Sequence, residues 1–396
     1  MTNKDWVFEG DQYIMHTYGR LDIVPKQGSG CHMVDADGKE YIDFTSGIGV
    51  NALGFCDPEW AEAVYNQAKT LNHCSNYYYY PSNVELAKKL VQVSGMAKVF
   101  FANSGAEANE GAIKLARKYS FDKYGRGRST ILTLKNSFHG RTIATLEATG
   151  QDVFHNYFFP FTEGFSYVEA NDIDAIKKAD SNQICAVMVE PIQGEGGVLP
   201  LDPDYLKELA DYCKQNDWLL IFDEVQTGIG RTGKPFGFMH FDVRPDIISC
   251  AKGLAGGLPM GAVLCTHALE DVLGPSTHAS TFGGNPIVSA GALVVLNRVM
   301  DGAFLQDITQ KGEYIKDKLN AQNLPCIKDI RGLGLMVGIE LTGVANKDVL
   351  HDLLDLGVLC LTAGNNVLRL LPPLPIGYAD IDTGVDAIIS VLKKAI

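Results

Sequence analysis

Three apolar runs in this chain end on an ionisable residue: ICAVMV on Glu190, WLLIF on Asp223 and IISCA on Lys252. Short apolar runs of this kind read as buried strands. Ligands of an open α/β sheet gather outside the carboxyl ends of its strands, so two carboxylates and an amine on that edge would meet in one pocket. Each alone has a plainer reading, because strands often end in charge. The coincidence of three points to chemistry. Lys252 is followed by GLAGGLPMGA, a setting too Gly-rich and apolar for an ordinary solvated lysine. An amine that attacks a carbonyl must be partly desolvated so that it ionises less readily, and this setting provides that. Asp223 could pair with a protonated ring nitrogen and keep the ring an electron sink. On its own, the Asp223-Glu224 doublet suits Mg²⁺ comparably well.

Two further segments bear on the same pocket. FFANSGAEANEGAIKLAR passes from a strand through a small-residue turn into a helix, and Ser104 and Glu107 have capping-box spacing. The first N–H groups of that helix, with the Ser104 hydroxyl and the small Gly105 and Ala106, form a neutral socket for a phosphate, or simply a well-capped helix. In NSFHGRT, Phe138 could stack on a ring and Arg141 offers a bidentate fork for a carboxylate. A core phenylalanine and a structural arginine are the competing readings. His139 is assigned no catalytic role. The glycines of GLAGGLPMG and TFGG do not match a dinucleotide fingerprint opening a helix, so a nicotinamide cofactor is disfavoured.

A parallel sheet must hold these groups. Strand candidates at 97–101, 130–134, 184–189, 218–222, 247–250 and 261–265 alternate with helical patterns such as AEANEGAIKLARKYS, which reads as α/β. After Pro286 the texture changes to a long helical pattern, alternating segments around RGLGLMVGIEL and NVLRLLPPL, and a final amphipathic helix. The expected division is an N-terminal segment (1–50) packing with a small C-terminal domain (286–396), and a large domain between them (51–285). The net charge of −13 argues against nucleic acid or an anionic membrane as partner, so a bound phosphate must be held by local geometry. The nine cysteines include no Cys-x-x-Cys pair and read as buried free thiols of a reducing compartment. No apolar run approaches the roughly 18 residues that span a bilayer, and the N-terminus lacks a signal pattern, so a cytoplasmic location is expected.

Taken in order, SGAEANE, NSFHGRT, EPIQGEGG, LIFDEVQTGIGRTG, AKGLAGGLPMGA and TFGGNP resemble the motifs of the class III, fold-type-I aminotransferases, which depend on pyridoxal 5′-phosphate (PLP). The likeness runs from about Tyr18 to Arg369. Within the family it leans towards the acetylornithine aminotransferases, through HTYGR, NSFHGRTIATLEATGQ, GFSYVEAND and RTGKPFGF. The resemblance implies a large domain with a seven-stranded, mostly parallel sheet and a smaller α+β domain. It implies that Lys252 holds PLP as a Schiff base, that Asp223 pairs with the ring nitrogen and that Gln226 lies near the phenolic oxygen. Phe138 would stack on the ring, and Ser104, Gly105 and Ala106 would cup the phosphate. Thr281 would reach the phosphate of a second subunit, making a homodimer with shared sites. Arg141 would bind the substrate's distal carboxylate and Arg369 the α-carboxylate of glutamate. Glu195 would be the switchable partner of Arg369, in a GEGG turn that reads as flexible. Tyr18 is expected among the substrate-binding residues, and no metal is expected. The implied reaction moves the terminal amino group of N-acetylornithine to 2-oxoglutarate, with ornithine, succinylornithine or 4-aminobutyrate as alternative donors. One departure stands out: the family's Gly-His-x-His-Pro element is Gly54-Phe55-Cys56-Asp57-Pro58 here, which reads as a matter of packing rather than chemistry.

Overall fold

The computed structural model describes residues 1–179 and 181–395. Its centre is a seven-stranded sheet built from β1 (Lys98–Ala102), β2 (Thr130–Leu134), β3 (Phe165–Val168), β4 (Ile184–Val189), β5 (Leu219–Asp223), β6 (Ile247–Cys250) and β7 (Gly261–Cys265), in the spatial order β1-β7-β6-β5-β4-β2-β3. Strand β7 runs antiparallel to both neighbours, and the other pairings are parallel. The reason is connection length. Only residues 251–260 separate β6 from β7, too few for the crossover that a parallel pair requires. The central β4 is buried at every position and reads as an unbroken apolar run, as expected of a strand covered on both faces. The short β3 was not among the expected strands.

One face of the sheet packs on the 20-residue helix Gly105–Tyr124, through Ala108, Ala112, Ile113 and Ala116 against Ile131, Met188, Ile221 and Val263. The other face contributes to the main core, which continues into the C-terminal part of the chain. There, Ile327–Leu333, Met336–Leu341, Val367–Leu370 and Leu361–Ala363 form a second, antiparallel sheet. A third sheet joins Pro25–Ser29, His32–Asp35 and Glu40–Asp43 to Val358–Leu359. The helix Pro286–Val299 packs on helices Pro58–Thr70 and Pro81–Ser94. Asp57, inside the departing element, caps Pro58–Thr70 by accepting the Trp60 N–H at 3.0 Å. No single helix among the described residues is long and apolar enough to cross a membrane.

Register brings the site together. Phe222 pairs with Val189 and Asp223 with Ser249, so Glu190 and Asp223 leave the sheet side by side while Lys252 follows just beyond β6.

Candidate active site

Asp223 ends β5 and is 3% exposed. Its Oδ1 accepts the Val225 N–H at 2.9 Å, and its Oδ2 accepts Asn109 Nδ2 at 2.7 Å and lies 2.8 Å from His139 Nδ1. An ionised carboxylate only accepts, so the His139 proton is assigned to Nδ1. His139 Nε2 is then a buried acceptor, and among the described residues it has no partner. Asn109 also donates to the His139 carbonyl at 2.6 Å, binding the helix to the Phe138–Arg141 segment. Glu190 accepts the Phe138 N–H at 2.8 Å and the Gly194 N–H at 3.1 Å. Burial pushes its carboxyl up to about 7; His139 opposes that shift and Asp223 adds to it.

Lys252 opens a 3-10 turn with φ of 44°, in the left-handed region where a non-glycine residue carries strain on the order of 1 kcal/mol or more. Its side chain lines a cavity of about 490 Å³ at the sheet edge with Asp223, Glu190, Glu195 and Gln226. Burial lowers the amine from its ordinary value, Glu195 works against that shift and Arg369 adds to it. Behind the cavity, Arg369 is 2% exposed and donates from Nη1 to Glu195 Oε1 at 2.7 Å and to Gln226 Oε1 at 3.1 Å. Burial alone would push the Glu195 carboxyl up, but the Arg369 guanidinium outweighs it and holds the carboxyl below its ordinary value.

The GEGG turn is not flexible in the way its composition suggested. A Cβ on Gly194 would lie 2.4 Å from Gln226 Cδ, and one on Gly196 would lie 2.5 Å from the Asn136 carbonyl oxygen. The Glu195 carbonyl accepts the Gly364 N–H at 2.9 Å, and Arg331 Nη2 donates to the Gly197 carbonyl at 2.8 Å. These glycines serve close packing, so the Glu195 backbone is clamped.

Opposite Asp223, Ser104 caps the helix Gly105–Tyr124, its Oγ accepting the Glu107 N–H at 3.1 Å. The capping box is not closed as its spacing suggested. The Glu107 carboxylate instead accepts the Asn103 N–H at 2.6 Å. The N–H groups of Gly105 and Ala106 have no protein acceptor among the described residues, as first-turn donors of a helix lack intrahelical partners. A Cβ on Gly105 would lie 2.8 Å from Val225 Cγ1, so glycine is required where helix and strand end meet. Phe138 lines the cavity edge-on to Phe154, with ring centroids 5.9 Å apart, and the Arg141 guanidinium lies 4.0 Å from the Phe154 ring centroid. Arg141 is exposed and, among the described residues, has no carboxylate partner. Tyr18 lines the cavity mouth and is 74% exposed.

Of the expected site residues, Thr281 is the outlier. It sits on an exposed turn and does not line the cavity. Sequence reasoning missed Asn109, the link from His139 to Asp223 and the stacking of Phe154 under Arg141. Asn109 did carry a signal: it falls on the apolar stripe of its helix with Ala108, Ala112, Ile113 and Ala116, where a polar residue needs a partner.

The donor set matches PLP group by group. Free N–H groups and a hydroxyl at a helix start suit its phosphate, and Asp223 Oδ1 retains a lone pair for a protonated ring nitrogen. The Lys252 amine, which among the described residues makes no hydrogen bond or ion pair, suits its aldehyde.

Comparison with known proteins agrees. A family profile described as Aminotransferase class-III matches residues 13–392. The acetylornithine aminotransferase of Haemophilus ducreyi is 52% identical over 384 residues, 96% of this chain and 97% of that one. That of Methanocaldococcus jannaschii is 44% identical over 396 residues, covering 100% and 99%. Among solved structures, the ornithine aminotransferase of Toxoplasma gondii has a TM-score of 0.95 at 32% identity, covering 100% of this chain and 96% of that one. The acetylornithine aminotransferase of Elizabethkingia anophelis has a TM-score of 0.88 at 32% identity, covering 100% of each. With likeness extending along the whole chain, this protein belongs to the class-III aminotransferases, whose cofactor is pyridoxal 5′-phosphate.

Proposed function

We propose that the protein is an acetylornithine aminotransferase, moving the terminal amino group of N-acetyl-L-ornithine to 2-oxoglutarate to give N-acetylglutamate 5-semialdehyde and glutamate. Relatives named for that activity, at 42–52% identity over nearly the whole chain, support this reading. When bound, PLP supplies an aldehyde that condenses with amines and a ring that accepts the electron pair left by proton removal. Asp223, oriented by Asn109, His139 and the Val225 N–H, holds a proton at the ring nitrogen. Lys252 would take a proton from the carbon bearing the reacting amine and return one to the carbon of the former aldehyde; burial lowers its basicity, which suits it to both giving and taking that proton. Ser104, Gly105 and Ala106 bind the phosphate, Phe138 stacks on the ring, and Gln226 lies beside the phenolic oxygen.

The observation that carries the terminal-amine half of the assignment is the Glu195–Arg369 pair at 2.7 Å. N-acetylornithine reacts at its terminal amine and brings no carboxylate beside the reacting carbon, so Glu195 neutralises Arg369. Glutamate and 2-oxoglutarate do bring one, and it takes Arg369 while Glu195 turns away. Arg141, without a carboxylate partner among the described residues, receives the distal carboxylate of either substrate at the cavity edge, and Tyr18 closes the mouth. The test is turnover with N-acetylornithine against ornithine, N-succinylornithine and 4-aminobutyrate. Faster turnover of any of the other three would replace the assignment.

The same reading includes a homodimer in which Thr281 completes the phosphate site of the second subunit. Exposed Phe282, Tyr77 and Tyr79, at 60%, 94% and 95%, support it as a patch that water covers poorly. Asn76 ties the two segments together by donating to the Ser280 carbonyl at 2.9 Å. Residues 1–50 group with the C-terminal domain in this reading, supported by the parallel pairing of Glu40–Asp43 with Val358–Leu359. A cytoplasmic location accords with nine cysteines that are all free.

A further inference from the structure

The N-terminal sheet meets the C-terminal helix Tyr378–Lys394 through three side chains that no step above uses. Cys31 Sγ, His32 Nε2 and an Asp380 carboxylate oxygen all lie within 4.8 Å of one another, and His32 Nε2 is 3.1 Å from Asp380 Oδ1. A tetrahedral zinc ion, with bonds of about 2.3 Å to sulfur and about 2.0–2.2 Å to nitrogen and oxygen, separates its ligand atoms by about 3.4–3.6 Å. The three atoms therefore need to move by about an ångström or less to enclose one.

The way the residues are held favours that adjustment. Cys31 is 5% exposed, and its carbonyl accepts the Asp43 N–H at 2.7 Å, so its backbone is fixed and its side chain is enclosed. The His32 and Asp380 side chains are 53% and 30% exposed and can turn to meet it. Asp380 stands in the first turn of its helix yet caps nothing: Gly377 is the N-cap and no side chain bonds the free N–H groups there. Its charged and thiol partners among the described residues are His32 and Cys31. An aspartate free of capping duty, facing a thiol and an imidazole, has the composition of a ligand set.

The chemistry narrows the ion. Thiolate and imidazole disfavour Mg²⁺ and Ca²⁺, which take oxygen, whereas sulfur, nitrogen and carboxylate together suit Zn²⁺. A nucleophilic Cys-His pair is the competing reading. It fails on access: Cys31 is 5% exposed and lies outside the cofactor cavity, so a substrate has no route to the sulfur. We propose that Cys31, His32 and Asp380 form a zinc site, with the fourth position left to water, that fastens the N-terminal sheet to the last helix. The site shares no residue with the cofactor cavity. On binding, the thiol proton is released to solvent, and the dication balances the thiolate and the Asp380 carboxylate.

The experiment uses PLP-loaded enzyme carrying C56S and C74S, which remove the two exposed cysteines. The protein is freed of metal with a chelator, and Co²⁺ is added as the spectroscopic probe. The expected result is one Co²⁺ per chain with a thiolate-to-cobalt charge-transfer band, displaced by equimolar Zn²⁺. C31S should abolish the band. H32A and D380N should weaken Co²⁺ binding by at least the roughly 10–100-fold that loss of a mere outer-shell partner costs. Absence of the band, its survival in C31S, or unchanged affinity in H32A would each overturn the proposal. His32 is exposed, so H32A keeps the test decisive even if C31S folds poorly. Amino transfer should persist in all these variants.

Discussion

Removing the Glu195 carboxylate tests the proposed substrate logic directly. Arg369 is 2% exposed, its Nη1 bonds only Glu195 and Gln226, and its Nε has no partner among the described residues. Glu195→Ala leaves a buried guanidinium with one neutral acceptor. A hydrogen bond to a charged group is worth about 1.5–3 kcal/mol, and each 1.4 kcal/mol is a factor of ten, so the change in preference should be roughly 10- to 150-fold. The direction follows from the two substrates. N-acetylornithine would react beside an unpaired positive charge, whereas glutamate would find Arg369 free and displace nothing. The ratio of kcat/KM for N-acetylornithine to that for glutamate should therefore fall by roughly 10- to 150-fold. Glu195 also raises the Lys252 amine through its charge, so its loss should move the acidic limb of the kcat profile to lower pH. The assay is stopped-flow spectroscopy of each half-reaction under single-turnover conditions. Arg369→Ala should cripple the glutamate half while largely sparing the other, and Arg141→Ala should impair both. Equal slowing of both halves by Glu195→Ala, or an unimpaired glutamate half in Arg369→Ala, would refute the exchange of partners.

Other consequences can be checked separately. Lys252→Ala should retain PLP through the phosphate cup and Asp223 but lose the visible absorbance of the lysine-bound cofactor and nearly all turnover; near-normal turnover would overturn the central assignment. Glu224 is fully buried and accepts the Thr227 hydroxyl at 2.5 Å and the Gly237 and Phe238 N–H groups at 2.8 and 2.6 Å. Glu224→Gln sets an amide donor against those donors and should cost about 1–3 kcal/mol of stability, read from denaturant midpoints. Asn109→Ala removes a 2.7 Å hydrogen bond to Asp223 and should weaken PLP binding by about tenfold or more in equilibrium titration. Thr281→Ala should likewise weaken PLP binding, and only in the dimer, so dilution in a sedimentation assay should track loss of cofactor.

Much of the frame was legible because burial on two faces leaves a plain signature. Ile184–Val189, Ile247–Cys250 and Gly261–Cys265 stand where their apolar runs begin and end. Phe165–Val168 escaped notice because it is a short edge strand interrupted by Ser166. The antiparallel setting of Gly261–Cys265 depends on the length of its connection, which apolar patterning does not report. Within the site, Lys252 and Asp223 announced themselves by ending strands. Of the bonds that orient Asp223, only the one from Val225 is local; those from Asn109 and His139 come from a helix and a loop distant in sequence, and no local pattern encodes them. The GEGG segment shows the opposite hazard: glycine suggested freedom where the fold uses it for contact with Gln226 and Asn136.

That clamped segment bears on speed. With the peptide groups around Glu195 held by Gly364 and Arg331, the carboxylate has only its own χ angles with which to leave Arg369. Rotamer changes of exposed side chains take picoseconds to nanoseconds, and a pair that must first part is slower but still needs no loop or domain rearrangement, which extends to microseconds and milliseconds. The exchange of partners would then be complete long before a turnover on the millisecond scale or slower. Two signatures of slow gating should be missing: a lag when the enzyme is shifted from one donor to the other, and a fall in kcat as solvent viscosity rises.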